Sequence, residues 1–329
     1  MSSENVGKAM IYSCGGTGIN IGAHFLKFKN QIDPGFSQID VVFIDTSQAN
    51  LDRAVPNENV YVFENLDGSG KVRAENHKQI GECVLDILQT YKPGDINFVL
   101  SSGSGGSGSV IAPSLVQELL QREIPVIVVT IGSTDSRIEL ENTIKTLKSY
   151  DAIAQMRRVA VNSLYYENSK TMPRSEVDKQ VQTAIVLLAA LFSKQNKELD
   201  SSDLNNWLNY SKVTSYDPHL SNIDFFPKEV KVDRPVSIIS VATLTTEGDD
   251  TSTGANVEYQ CVGYVRKEVM TKMNFTNPIH IAILDGVFSE IIKRLTKSLN
   301  DFDEAKKARI LKSSILTDKD RPTTNGLIL

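Results

Sequence analysis

The run Ser101-Ser102-Gly103-Ser104-Gly105-Gly106-Ser107-Gly108-Ser109 constrains the fold of this chain more than any other feature. It lies between an apolar run, Ile96 to Leu100, and a stretch with helical spacing that starts near Val110. A loop with so few side chains, set between a core strand and a core helix, brings bare backbone N–H groups and hydroxyls to a helix N-terminus. The partial positive charge there favours phosphate. A flexible Gly/Ser linker is the competing reading, and it fits poorly because linkers rarely join a strand to a helix of one sheet. A second glycine loop, Cys14-Gly15-Gly16-Thr17-Gly18-Ile19-Asn20, also leaves a strand and enters a helix. The first lacks the Lys of G-x-x-x-x-G-K-[ST] and the second lacks the spacing of G-x-G-x-x-G. Gly68-Ser69-Gly70-Lys71 fails as the end of a P-loop, because Asn65 stands where the first glycine should be.

Residues 9–14, 39–45, 96–100 and 125–131 are Val- and Ile-rich runs that predict strands buried on both faces. Helical spacing over 20–30, 74–91, 110–123 and 137–149 alternates with them, which predicts a parallel sheet covered by helices on both sides. A further strand is expected over Arg158 to Asn162. A long helix follows over 174–196, opened by Pro173 and Ser175 and so apolar from Ala184 to Phe192 that it must be covered nearly all round. Such a helix belongs between two domains. Strand signals at Val236–Val241, Val257–Val265 and Ile279–Leu284, without glycine-rich loops, predict a smaller α+β unit. A last helix is expected from Asp285 to Ile315. A polar stretch, Thr317 to Asn325, then precedes an apolar tip, Leu327-Ile328-Leu329. The expected divisions are 1–173, 174–212, 213–316 and a tail, 317–329.

Charge excludes one class of partner. With 35 Lys+Arg against 40 Asp+Glu, the net charge of -5 lacks the basic excess that a nucleic-acid backbone requires, so no direct nucleic-acid contact is expected. Cys14, Cys83 and Cys261 form no C-x-x-C pair, and His24, His77, His219 and His280 have no ligand spacing, so neither a disulfide framework nor a zinc site is predicted. The polar N-terminus has no signal-like apolar stretch, and the run Ala184–Phe192 is about half of the roughly 20 residues needed to span a bilayer. A cytoplasmic protein with no membrane partner is expected. Lys306-Lys307-Ala308-Arg309 reads as a solvated helix face or a lateral contact.

Ser104-Gly105-Gly106-Ser107-Gly108-Ser109 resembles the tubulin signature (G/A)-G-G-(T/S)-G-(T/S)-G, and Gly15-Gly16-Thr17-Gly18-Ile19-Asn20 is similar to the first glycine loop of the tubulin and FtsZ superfamily. The resemblance continues in family order through Asp45-Thr46-Ser47-Gln48, Gly68-Ser69-Gly70, Asn162 and Asp178, and covers residues 9–210. The Ser133-Thr134-Asp135 segment, the stretch Asp203-Leu204-Asn205-Asn206-Trp207 and the short tail resemble its bacteriophage branch, the PhuZ group. Ser104 and Val110 depart from the signature. Arg137 and Glu139 lie in the segment where relatives use an Arg and a Glu at the nucleotide, but out of register, and receive no role.

The resemblance implies a tubulin-like fold and a GTPase that binds GTP/GDP with Mg²⁺. The nucleotide would lie among Gly15, Gly16, Thr17, Asn20, Asp45, Gly68, Gly70, Gly105, Gly106, Ser107, Gly108, Ser109, Asn162 and Asp178. An ionised Asp178 accepts hydrogen bonds only, so it suits guanine, which offers N1–H and an amino group, over adenine. Complementing the helix dipole is its plainer role, as turn formation is for Asn162. Asp200 and Asp203, after the long helix, resemble the N-x-D-x-x-D loop with which one subunit completes the site of the next; Glu198 stands at the Asn position. Capping the following helix is their plainer role, and both roles hold together if Ser201 or Ser202 is the cap. The resemblance further implies a head-to-tail filament, a tail that docks on the neighbouring subunit, and a spindle placing phage DNA in the bacterial host's cytoplasm. A non-polymerising α/β nucleotide-binding enzyme or regulator is the rival reading.

Overall fold

Strand and helix alternate through the first half as β1 (Lys8–Cys14), α1 (Gly15–Gly22), β2 (Gln38–Asp45), β3 (Val60–Val62), α2 (His77–Thr90), β4 (Ile96–Ser102), α3 (Gly108–Gln121), β5 (Val126–Ser133), α4 (Arg137–Arg157) and β6 (Val161–Asn168). The second half continues with α5 (Arg174–Leu191), α6 (Ser201–Leu208), β7 (Leu220–Pro227), β8 (Ser237–Thr245), β9 (Tyr259–Tyr264), α7 (Lys267–Lys272), β10 (Ile279–Asp285) and α8 (Val287–Arg309). The computed structural model describes residues 6–28, 35–48, 51, 55–63, 66, 73, 77–169, 172–233, 235–274 and 278–309. The expected site residues Gly68 and Gly70, and the tail 317–329, lie outside the described residues.

The ten strands among the described residues form one sheet in the order β3-β2-β1-β4-β5-β6-β7-β10-β8-β9. The first seven in that order run parallel, while β10 is antiparallel to both β7 and β8. The joint between the two halves is short: Val161–Ser163 of β6 against Leu220–Asn222 of β7. Alternation along each strand sends Ile11, Phe98 and Val129 to the face covered by α5, where Val181, Ile185 and Leu188 meet them. Tyr12, Val99 and Val128 point to the other face, against Leu115 and Leu119 of α3 and Tyr150 of α4. The apolar end of α5 is covered all round, with Leu187 to Leu191 each no more than 2% exposed. No helix among the described residues is long and apolar enough to cross a membrane.

Two boundaries differ from the sequence expectation in a way that matters for the site. No Gly or Pro interrupts 149–157, and Tyr150, Ile153 and Ala154 keep burying the same face, so α4 runs on to Arg157. It stops at Arg158, held in the left-handed region at φ 55°, after which β6 begins only at Val161. The strand expected over 158–162 is thus displaced toward the C-terminus. α5 ends at Leu191 rather than 196. β7 has no counterpart in the expectation, because Asn222, Asp224 and Pro227 interrupt its apolar alternation.

Candidate functional site

Parallel strands share one direction, so the loops that leave β1, β2, β4, β5 and β6 gather along a single edge of the sheet. Gly15 takes φ +70°, and a Cβ built on it would lie 3.0 Å from both N and Cα of Gly108. A Cβ on Gly108 would lie 2.6 Å from the Cys14 carbonyl oxygen, and one on Gly18 2.5 Å from that of Leu100. The two glycine loops therefore touch backbone to backbone, which no larger residue permits. At the end of β2 the buried Asp45 accepts a hydrogen bond from the Thr46 N–H at 2.7 Å, and the Thr46 hydroxyl lies 2.6 Å from that of Ser107. Gly15, Gly16, Thr17, Asp45, Gly105, Gly106, Ser107, Gly108 and Ser109 are brought together here.

The carbonyls of the long loop are turned away from the open side. Thr146 donates to the Gly103 oxygen (2.9 Å), the Asn142 amide to those of Ser104 and Gly105 (3.2 and 3.4 Å), and the Ser109 hydroxyl to those of Gly105 and Gly106 (2.7 and 2.8 Å). The Gly103 and Ser104 N–H groups are taken by the Ile131 carbonyl and the Ser102 hydroxyl, and with the carbonyls bound to α3 and α4 the amide hydrogens from Gly105 onward are left to the other side. A Cβ on Gly105 would meet only that of Ser102, at 3.9 Å, so space remains there. Such a cradle at a helix N-terminus suits an anion. Asn142 and Thr146 carry no motif and are visible only in the packing.

Asn20, exposed on α1, precedes His24, which lies close enough to act on Asp178 in the second turn of α5. Partial burial raises the Asp178 carboxyl above the usual Asp value, and His24 and Arg174 oppose that shift. Asn162 is corrected by the structure. It is the second residue of β6, level with Ile127 near the start of β5, and its buried amide donates to the Leu208 carbonyl at 2.8 Å. That places it about 20 Å from the loop edge at roughly 3.3 Å per residue. Asn168 occupies the loop end of β6, opposite Ser133, and its buried side-chain oxygen has no hydrogen-bond partner among the described residues. Arg137 turns to α8 instead, bonding Asp303 at 2.6 Å and Glu141 at 2.8 Å. The Glu139 carboxylate takes the Ser133 hydroxyl at 3.2 Å.

Asp200 and Asp203 sit on the opposite edge. The α5 helix crosses the sheet, and near its far end the Ala189 carbonyl accepts from Ser37, just before β2, and that of Ser193 from Gly7, just before β1. Its 18 residues span about 27 Å. Asp200 itself caps α6, in place of the expected Ser201 or Ser202. Its Oδ1 accepts from the Ser202 and Asp203 N–H groups (2.7 and 2.9 Å), and Asp203 accepts from the Asp200 N–H at 3.1 Å. The Tyr259 hydroxyl also donates to Asp203. Asp200 Oδ2 has no partner among the described residues, and Asp200 is exposed.

A parallel sheet with two abutting glycine loops at one edge and a long crossing helix behind it defines a nucleotide-binding protein of the tubulin type. The family model for the Tubulin/FtsZ family, GTPase domain, matches residues 8–172, and the chain belongs to that family. It is 29% identical to the phage tubulin-like protein of Pseudomonas phage phiKZ, over 98% of each chain. A solved protofilament of TubZ from bacteriophage PhiKZ superposes with a TM-score of 0.84 at 28% identity, covering 98% of this chain and 99% of that one. The phage tubulin PhuZ, solved with GDP, shares the fold at a TM-score of 0.82 and 21% identity, covering 98% and 99%.

Proposed function

We propose that this GTPase polymerises head to tail, each subunit completing the nucleotide site of its neighbour. The observation that carries this reading is the split of the machinery: the phosphate cradle lies on one edge of the sheet and the Asp200–Asp203 pair on the other, a helix length apart. No folded chain can bring its own pair to its own nucleotide. A second copy stacked edge to edge can, and because that contact is heterologous it propagates into a filament. Filaments of the phage relatives support the same reading.

In this reading the amides of Gly105 to Ser109 and of the Gly15–Thr17 turn bind GTP or GDP phosphates, and Asp178 with Asn168 faces the guanine. Asp178 lies beside His24 at the α1 side, so Asn20 joins that end. Gly68 and Gly70 belong to the family loop between β3 and α2. The residues fit Mg²⁺: Asp45, Thr46 and Ser107 supply hard oxygen donors beside the cradle, and among the described residues no His/Cys/Asp/Glu cluster forms a cage of its own. Mg²⁺ would neutralise phosphate charge. Asp200 and Asp203 of the next subunit orient and polarise a water in line with the γ-phosphate, which is positioning more than covalent chemistry.

The tail, 317–329, docks on the neighbouring subunit, and no nucleic acid or membrane is contacted directly. By kinship with phage tubulin-like proteins, the filament acts in the cytoplasm of an infected bacterium as a spindle that positions phage DNA. Light scattering with GTP and ATP in parallel tests the reading. Scattering should rise only with GTP, above a threshold protein concentration, and hydrolysis per subunit should increase across the same threshold. Hydrolysis that is independent of concentration, with no scattering change, would refute it.

A further inference from the structure

Arg73 stands out because it fills a gap that the sequence of α3 creates. The Ser109 carbonyl, in the first turn of α3, would ordinarily accept from the N–H four residues on, but residue 113 is Pro113 and has none. Arg73 Nη1 takes that place at 2.8 Å. The same guanidinium donates to the Thr146 hydroxyl, and through Nη2 to that of Ser149 at 3.3 Å. Thr146 in turn holds the Gly103 carbonyl, so Arg73 braces both ends of the phosphate loop at Gly103 and Ser109. All three acceptors are uncharged, and no carboxylate lies within ion-pair distance of Arg73 among the described residues. A half-buried cation with no counter-charge is costly unless an anion balances it. Burial accordingly lowers its pKa, partly offset by Tyr150.

We propose that Arg73, seated on the carbonyl that Pro113 leaves free, is a positioning residue that holds the phosphate loop open to anions and supplies the charge that favours a nucleoside triphosphate over a diphosphate. The inference rests on the GTPase reading above and assigns the source of its phosphate selectivity. Loss of one unit charge beside a phosphate site, at an effective dielectric near 20, changes affinity by roughly tenfold or more.

Titrating the full chain with fluorescent GDP and a fluorescent, slowly hydrolysed GTPγS analogue tests the assignment. Arg73→Gln should weaken the GTPγS analogue about tenfold or more and GDP by less, while Arg73→Lys, which keeps the charge, stays within about threefold of the parent for both. Pro113→Ala gives an independent arm, because it restores the N–H that competes with Arg73 for the Ser109 carbonyl. It should melt no lower than the parent, since Pro is the poorest helix former, yet shift the GTPγS:GDP ratio in the same direction as Arg73→Gln. Equal losses in the Gln and Lys variants, or an unmoved ratio in Arg73→Gln, would overturn the assignment. If Arg73→Gln does not fold, a parental ratio in Pro113→Ala overturns it. Failure of the parent to bind either nucleotide refutes the GTPase reading instead, and this inference with it.

Discussion

Asp200 caps α6 and, in the proposed reading, also acts on a neighbour's nucleotide; substitutions can separate the two. Its Oδ1 accepts from two backbone N–H groups, and the proposal assigns Oδ2 to the attacking water. Replacing it with Ala removes both functions. The lost cap costs about 1 kcal/mol, which for a chain of this length lowers the melting temperature by about 2 °C. Asn caps a helix as well as Asp does, so Asp200→Asn should melt within a degree of the parent while losing the negative charge. If the charge orients and polarises the attacking water, both variants should hydrolyse GTP roughly a hundredfold more slowly. Nucleotide affinity should stay at the parental value in both, since the carboxylate acts on another subunit's GTP, and filaments should persist after assembly.

The assay pairs phosphate release with light scattering, at protein concentrations above and below the assembly threshold. Differential scanning calorimetry supplies the stability arm. The reasoning fails if Asp200→Asn assembles and hydrolyses GTP at the parental rate, because the carboxylate would then be a cap and nothing more. It fails differently if Asp200→Asn weakens GTP binding by monomer, which would place the acidic pair at its own subunit's nucleotide, against the opposite-edge geometry. Asp203→Asn is a second probe, since its one amide oxygen can still accept from the Asp200 N–H while its amide nitrogen turns to the Tyr259 hydroxyl, now as donor. It should behave as Asp200→Asn does.

Gly108→Val should abolish GTP and GDP binding by calorimetry, because its Cβ would sit 2.6 Å from the Cys14 oxygen and force the two glycine loops apart; retained binding in a folded protein would remove this loop from the site. Burial raises the Asp178 pKa, so as pH falls its ionised form is lost earlier than that of an ordinary Asp. GDP affinity should therefore drop in mild acid, and Asp178→Asn should bind weakly with no such slope; matching pH profiles in the two proteins would refute the guanine assignment. Asn162→Ala should cost about 1–3 kcal/mol of stability, by leaving the buried Leu208 carbonyl unpaired, with GDP affinity unchanged, whereas Asn168→Ala should weaken GDP binding. Deleting 317–329 should raise the concentration needed for assembly while leaving monomer melting and GTP binding alone; a large melting loss with unchanged assembly would make the tail an internal latch.

The parallel half of the fold was legible because burial on both faces writes itself as uninterrupted Val and Ile, as in Val126 to Ile131. The glycine loops were legible for a related reason: where backbone meets backbone, as at Gly15 and Gly108, only glycine fits. β7 was not, because Asn222 and Asp224 are tolerated there by pairing with β6 and β10, and that pairing is set by residues far away in sequence. Arg73, Asn142 and Thr146 escaped notice for the same reason. Each is an ordinary polar residue until the fold sets it against a loop carbonyl.

The misplacement of Asn162 shows how a single local ambiguity reaches the site. Helix termination is easy to read at Gly or Pro, but α4 stops at Arg158, which reaches the left-handed region without being a glycine. Nothing in 149–160 marks that stop. Taking the strand to begin at 158 makes Asn162 its end; starting it at Val161 makes Asn162 its second residue and hands the loop edge to Asn168. The position of the acidic pair after α5 was readable, because α5 has a firm start after Pro173 and an unbroken apolar end that fixed its length to within a few residues. That length carries the proposal. A helix of this span puts whatever precedes it and whatever follows it on opposite edges of the sheet, so in the proposed reading Asp178 and the Asp200–Asp203 pair serve one nucleotide only when they come from two different subunits.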